Sequence, residues 1–351
     1  MKRNIGQKFL AVIIVFSVLG VAAGCGVKSG EKANLPDTGT IIRVGYFPNL
    51  THAQALVGFN DGTFQKALGS GVKLEERIFN AGPAEIEALL AGEIDLGYIG
   101  PVPAVNGFVK SKGGLRIIAG AADAGAVLLA GKGSGIRNVS DLRGKKVAVP
   151  QLGNTQDISL RNLLAGANLK DAAKGGDVTI IPAENPDILT LMAKGDIDAA
   201  LVPEPWGSRI VKQAGAGIVL DASQVWRGGQ YTTAVVIASS KFLKESPDLA
   251  EKWLEAHVDL TQRMNADKEN SKRLANAQIE KLTKKSLPGD ILSSSFDRIG
   301  VTYNPESDSV RDFVKLSVDN GYLKQIPEVT NLFDLTILNK VLEKNGLPTV
   351  K

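Results

Sequence analysis

One supersecondary phrase is written twice along this chain. GEIDLGYIGPVP (92–103) and GDIDAALVPEPW (195–206) align at a constant offset of 103 residues. Pro83 falls on Pro186, Gly92 on Gly195, Ile94 on Ile197 and Asp95 on Asp198. Upstream of each phrase, apolar residues recur with helical spacing: Ile86, Leu89 and Leu90 in one copy, Ile188, Leu189 and Met192 in the other. A glycine after such a run suits the left-handed position that ends a helix. LGYIG and AALVP then read as short strands buried on both faces. The offset extends backwards. IIRVGYF (41–47) lies over GKKVAVP (144–150), with Val44 on Val147. After each strand a helix start is expected, with Thr51 and Gln54 as a capping box in the first copy and Asn154 and Asp157 at the same positions in the second. The offset has room to slip by one residue around the second strand, VKLEERIF against DVTIIPAE. Each copy reads strand, capped helix, strand, helix, strand, the order of an α/β domain with a mainly parallel sheet.

A length of 351 residues suits two such domains better than one core. GAVLLAGK (125–132) leaves the first copy and YTTAVVIASSKFL (231–243) follows the second. These read as two crossovers, a connection that lets lobes hinge about a cleft. The expected division is 41–128 with 234–351 as lobe 1, and 129–233 as lobe 2. Amphipathic segments such as SPDLAEKWLEAHVDLTQRM would complete lobe 1.

The N-terminus reads as a targeting signal. A basic MKRNIGQK precedes FLAVIIVFSVLGVAA, 15 residues and short for a membrane span of about 20. It runs into AAGC, which resembles a bacterial lipobox with Ala22 where Leu is usual. Residues 1–24 are expected to be a signal peptide, Cys25 the acylated new terminus, and 25–40 a lipid-anchored tether. Cys25 is the one cysteine of the chain, so none remains for disulfides, thiol catalysis or metal. Without Lys2, Arg3 and Lys8 the basic residues number 38 against 37 acidic. That balance offers no electrostatic footprint for nucleic acid.

In open α/β sheets, ligands bind beyond the carboxyl ends of the strands. FPNLTHAQ, YIGPVP, QLGNTQD and VPEPW all fall there. Each lobe would bring one helix N-terminus and one proline-containing loop to the cleft. Free N–H groups at helix N-termini favour a small anionic ligand. Glu204 is a poor partner for an anion and better suited to a backbone amide or a cationic part of the ligand. Tyr231, at the second crossover, could reach the cleft with its hydroxyl. His257, in KWLEAHVDL, is expected on a helix face away from the cleft. No His/Cys/Asp cluster has metal-ligand spacing, so neither metal nor cofactor is expected.

The lipobox, GYFPNLTHAQALVG, GEIDLGYIGP, DLRGKKVAVPQLGNTQD, GDIDAALVPEPW and FVKLSVDNGYLKQIPEVTNLFDLTIL together resemble the substrate-binding lipoproteins of ABC importers for aliphatic sulfonates, taurine and nitrate. The resemblance spans roughly 41–345. It implies a type II periplasmic-binding-protein fold, with two α/β lobes joined by two crossover segments around a ligand cleft. It implies a monomer outside the cytoplasm, lipid-anchored, delivering ligand to a permease and its ATPase without catalysis. Carried over by position, it suggests ligand contacts at Asn49, Thr51 and His52, at Tyr98 and Gly100, and at Asn154, Thr155 and Gln156. It adds Glu204 and Trp206 of the EPW loop, and Asp123 and Ala124 before the first crossover. Nitrate, phosphonate or a thiamine-precursor pyrimidine are alternative ligands, and a sensor feeding a receptor is an alternative role. Relatives that make the thiamine pyrimidine depend on a cysteine-rich motif, and this chain has no cysteine after 25. It also shows no G-x-S-x-G, P-loop or HExxH.

Overall fold

The computed structural model describes residues 39–351, so the leader, Cys25 and most of the tether lie outside the described residues. Strands β1 (Thr40–Tyr46), β2 (Val72–Ile78), β3 (Leu96–Ile99) and β4 (Leu115–Ala124) begin one sheet. The chain then builds a second from β5 (Ala126–Ala130), β6 (Lys146–Val149), β7 (Thr179–Pro182), β8 (Ala199–Pro203) and β9 (Gly217–Leu220). It returns to the first with β10 (Thr232–Ser239) and β11 (Ile299–Val301). The strand orders are β11-β4-β10-β3-β1-β2 and β7-β6-β8-β5-β9. Helices α1 (Ala53–Asn60), α2 (Thr63–Leu68), α3 (Gly82–Leu90) and α4 (Pro101–Lys110) belong to the first half. Helices α5 (Thr155–Gly166), α6 (Asn185–Lys194) and α7 (Trp206–Ala214) belong to the second.

The repeat survives at the level of single hydrogen bonds. Val44 pairs with Leu96 in the first sheet and Val147 with Ala199 in the second, each 103 residues on. The amide of Arg43 donates to the Asp95 carboxylate, and that of Lys146 to Asp198, both at 2.8 Å. Each aspartate returns its own amide to the carbonyl of the same partner. An aspartate at a strand start thus closes an open amide of its neighbour and pins the register. Gly92 and Gly195 take φ of 75° and 77° behind α3 and α6, where a Cβ would be strained. The edge strand slips as anticipated: Val44 faces Glu76, whereas Val147 faces Ile180, one residue further along.

The sheets are mixed rather than mainly parallel. β10 runs antiparallel to β3 and β4, and β5 antiparallel to β8 and β9. The cause is the passage itself. A strand that leaves one sheet and continues straight into the other enters it against the local direction. The passages fall at Ala124–Gly125 and Tyr231–Thr232, and the Ala124 amide donates to the Tyr231 carbonyl across 3.0 Å. The tail does not stay with one half. On helix Ser307–Asp319, Val310 and Val314 pack into a cluster of the first half and Phe313 into the core of the second.

One helix start departs from expectation. Thr51 lies in a short 3-10 turn, Leu50–His52, and α1 begins at Ala53 without a side-chain cap. Gln54 does not reach back. Its amide donates to the carbonyls of Ala121 and Thr302, at 2.8 and 3.1 Å, inside the core. The Leu50 amide is met instead from the opposite lobe, by the carbonyl of Glu204 at 3.1 Å. At α5 the Asn154 cap forms, accepting from the Asp157 amide at 2.8 Å. The Asp157 carboxylate turns to the Gly153 amide and to Arg161, so only half of the box is made.

The halves also differ inside. Ile188 of α6 faces a sheet with Ala148 and Ala200 in its strands, all buried. At the corresponding positions the first half has Glu85, Gly45 and Gly97. A Cβ on Gly45 or Gly97 would lie 2.5 or 2.1 Å from a Glu85 carboxyl oxygen, so the two glycines make the room for it. Neither oxygen has a hydrogen-bond partner, and complete burial holds the carboxyl well above the usual carboxylate range.

Candidate ligand site

A cavity of about 30 Å³ lies between the two lobes, at the carboxyl ends of their strands. That is room for about two waters or the head of one oxyanion. Seven chain segments reach it: Pro203 at the end of β8, Thr233 in β10, and five that are the starts of helices. Asn49 precedes the turn into α1, Gly82 opens α3, Gly100 precedes α4, Thr155 opens α5 and Asn185 opens α6. Of these five starts, α5 alone has a side-chain cap. The others keep N–H groups and the positive end of the helix dipole directed at the space. Proline lies in the first turn of α3, α4 and α6, where its missing N–H costs nothing.

No Lys, Arg, Asp or Glu is among the lining residues. His52 is the one titratable side chain there, and burial pushes its imidazole down to about 3. Its Nδ1 accepts from the Phe47 amide at 3.2 Å, which leaves the proton on Nε2. Two buried lining atoms have no protein partner, Thr155 Oγ1 and Asn185 Oδ1. A Cβ on Gly100 would stand 2.3 Å from Thr155 Oγ1, so a glycine is what lets the two lobes meet here. Among the described residues no three His, Cys, Asp or Glu cluster as a metal would need.

Of the residues expected from sequence, Asn49, Thr51, His52, Gly100, Asn154, Thr155 and Gln156 line the cavity. Tyr98, Asp123, Ala124, Glu204, Trp206 and Tyr231 do not. Tyr98 is swallowed by the core of the first half, where its hydroxyl meets His257 Nδ1 at 2.9 Å while His257 Nε2 donates to the Gly120 carbonyl. His257 is therefore a buried core residue, and it is not among those lining the cavity. Asp123 lies at the first passage, where burial, and then Glu306, pushes its carboxyl up to about 8. Ala124 is used for the passage itself, with φ 54°. Tyr231 is fully buried, its hydroxyl nearest the Ala222 carbonyl at 3.5 Å. Glu204 accepts from the Ser208 amide and hydroxyl, from Ser295 and from Arg298, at 3.0 to 3.2 Å. Its carboxylate is thus committed beneath the site. Trp206 begins α7 and donates its indole N–H to Asn49 Oδ1 at 3.0 Å.

YIGPVP and VPEPW were expected as loops, but both lead directly into helices, at Pro101 and Trp206. Asn80, Ala81, Gly82 and Asn185 line the cavity without having been singled out. A signal was present. Pro83 and Pro186, in register, mark two helix starts, and the 103 offset lays Gly82 on Asn185.

Comparison with known proteins places this geometry. The pattern of the NMT1-like family matches residues 37–279. A Bacillus subtilis relative named "Putative aliphatic sulfonates-binding protein" is 25% identical over 345 residues, covering 90% of this chain and 96% of its own. Alkanesulfonate-binding SsuA from Xanthomonas axonopodis pv. citri, solved with MOPS bound, superposes with TM-score 0.68 at 18% identity, over 82% of this chain and 95% of that one. Nitrate-binding NrtA from Synechocystis PCC 6803 gives 0.72 at 16%, over 89% and 90%. The fold also occurs in a desulfurization enzyme, DSZB, with TM-score 0.61 at 16% identity, over 87% and 99%. With more than half of its length matched, and with the two-lobed fold of those binding proteins, the chain belongs to the NMT1-like family.

Proposed function

We propose that this protein is the solute-binding component of an ABC importer, capturing a small organic sulfonate in the interlobe cavity and handing it to a membrane permease. The observation that carries this reading is the set of helix starts around a small cavity without charged side chains, in which two polar side chains are left unpartnered. A sulfonate carries one delocalised negative charge and several acceptor oxygens. Backbone amides, the Thr155 hydroxyl, His52 Nε2–H and side-chain amides are the donors such a group needs. A half-turn of the Asn185 amide brings its NH₂ to the same space. Each helix terminus contributes about 0.3–1 kcal/mol, and up to ~2 where partly buried. Micromolar binding needs about −8 kcal/mol, so several must act together.

The contacts proposed are Asn49, Thr51, His52, Gly100, Asn154, Thr155 and Gln156, joined by Asn80, Gly82 and Asn185. Binding without turnover fits the chemistry of this lining. His52 is neutral, with Nδ1 taken by the Phe47 amide, and no thiol is present. Acylation of Cys25 would hold a monomer at the outer face of the cell membrane, within reach of the permease and its ATPase. A second reading, nitrate, is favoured by the size of the cavity alone.

A thermal-shift series with taurine, short alkanesulfonates, nitrate and a hydroxymethylpyrimidine tests the ligand. Ligand bound only by the folded state raises the midpoint. A rise with sulfonates is expected. A rise with nitrate or the pyrimidine alone would transfer the reading to that ligand. For the anchor, Cys25→Ser should move the protein from the membrane to the soluble fraction, and a variant that stays membrane-bound would refute it.

A further inference from the structure

The anion cavity has a neighbour. A pocket of about 290 Å³ shares Asn49, Asn80 and Asn185 with it and continues outward to Trp206, Arg209 and Lys285. Its floor is apolar, with Ile279, Leu287 and three prolines. Its two charged lining residues, Arg209 and Lys285, are both cationic. Glu184, next to Asn185 in the chain, is not among the lining residues and accepts from the Asn80 amide at 3.0 Å.

Arg209 is the informative residue. It takes part in none of the ion pairs or side-chain hydrogen bonds among the described residues. Its guanidinium stacks over the Trp206 ring at 4.2 Å. Partial burial lowers its pKa, yet a guanidinium remains charged. A half-buried cation without a counter-charge is costly and is ordinarily paired. Other buried or half-buried arginines have partners: Arg161 sits between Asp157 and Asp171, Arg298 between Glu204 and Asp221, and Arg116, over the Phe108 ring, donates to the carbonyls of Gly113 and Leu115. The stack fixes the plane of the Arg209 fork, and Trp206 is itself fixed by Asn49 from the other lobe. With the lobes in this arrangement the Arg209 fork is oriented at the end of the pocket away from the shared asparagines, without a counter-charge.

We propose that this pocket is a second anion subsite, in which Arg209 anchors the distal acidic group of the ligand. The substrate class is then a sulfonate whose short carbon chain ends in a carboxylate or a second sulfonate, with Lys285 adding long-range attraction at the mouth. This rests on the sulfonate reading above and narrows it.

The test is calorimetric titration of the full chain, solubilised in detergent, with 1-propanesulfonate and 3-sulfopropionate, which share a chain length and differ in the terminal carboxylate. The wild type should bind sulfopropionate at least about tenfold more tightly, the worth of one charge-assisted pair. In Arg209→Gln that preference should collapse to about threefold or less. Arg209→Lys, which keeps the charge and loses the planar fork, should fall between. Equal affinities in the wild type, or a preference that survives in Arg209→Gln, would overturn the second subsite and leave the sulfonate reading standing. If neither compound binds, both fall.

Discussion

Trp206 donates its indole N–H to the side-chain oxygen of Asn49 across 3.0 Å, and the two residues belong to opposite lobes. Beside it, the Leu50 amide donates to the Glu204 carbonyl at 3.1 Å. These two bonds join the start of α1 to the start of α7 and hold the cleft shut at one end.

Trp206→Phe keeps most of the ring and removes the donor. Asn49, 5% exposed, is then left with an unmet acceptor whenever the lobes are closed. Such a loss costs about 1–3 kcal/mol. Opening returns Asn49 to water, so the cost falls on closure. Ligand affinity should drop roughly tenfold, while the melting midpoint of the unliganded protein moves little. Calorimetric titration and a thermal melt of the same variant check this. A melt that falls as far as the affinity would assign the bond to the fold instead.

Thr155→Val should separate binding from stability by sign. The hydroxyl is buried and unpartnered, so replacing it with a methyl removes a desolvated polar group and adds apolar contact. The variant should be as stable as the wild type or slightly more so. Sulfonate affinity should fall by about tenfold or more, because a ligand-facing donor is gone. Urea denaturation beside titration measures both, and unchanged affinity would remove Thr155 from the site.

Sulfonate affinity should be level between pH 5 and 8. The titratable lining group, His52, is held near 3 by burial and is neutral throughout that range, and the ligand is a strong acid. A steep rise in affinity as pH falls towards 5 would mean that His52 is protonated when ligand is bound.

Glu85→Gln gives a pH signature in stability. Burial raises the native pKa of Glu85 above its unfolded value. Its contribution is fully present below the unfolded value, near 4.3, and is lost as pH rises, by roughly 1.4 kcal/mol per unit until the native pKa is reached. Glutamine, of the same shape and uncharged, does not lose it. The variant should match the wild type near pH 4 and become progressively more stable than it towards pH 7. Urea midpoints across that range decide it, and a constant difference would show that Glu85 is ionised in the native state.

Much of this was legible because the repeat records backbone necessity. Asp95 and Asp198 pin strand register, Gly92 and Gly195 end helices, and the buried strands between them carry no polar residue facing water. Strand direction was not legible. Periodicity reports burial on two faces and is silent on polarity, so β5 and β10 looked like their parallel neighbours. Tyr98 misled for a related reason. A central strand buried on both sides has no face from which position alone tells core from cleft, and His257, 159 residues away, takes the hydroxyl. Thr51 and Gln54 had the spacing of a capping box, but Gln54 found better acceptors in β4 and in the Thr302 carbonyl. Asn80 and Asn185 stand just before or at the starts of α3 and α6, away from the loops that follow each lobe's first strand, and only the packing of the lobes brings them to the cavity.

The Ala124–Tyr231 hydrogen bond has a consequence for how the molecule is made. It joins the two ends of the stretch that builds the second sheet, so that stretch is an insertion with touching ends. The first sheet is split around it, and β10, which occupies its middle between β4 and β3, comes from the far side of the insertion. On a ribosome the sheet that is started first is therefore the last to be finished. All five strands of its partner have been synthesised before the strand that completes its centre exists.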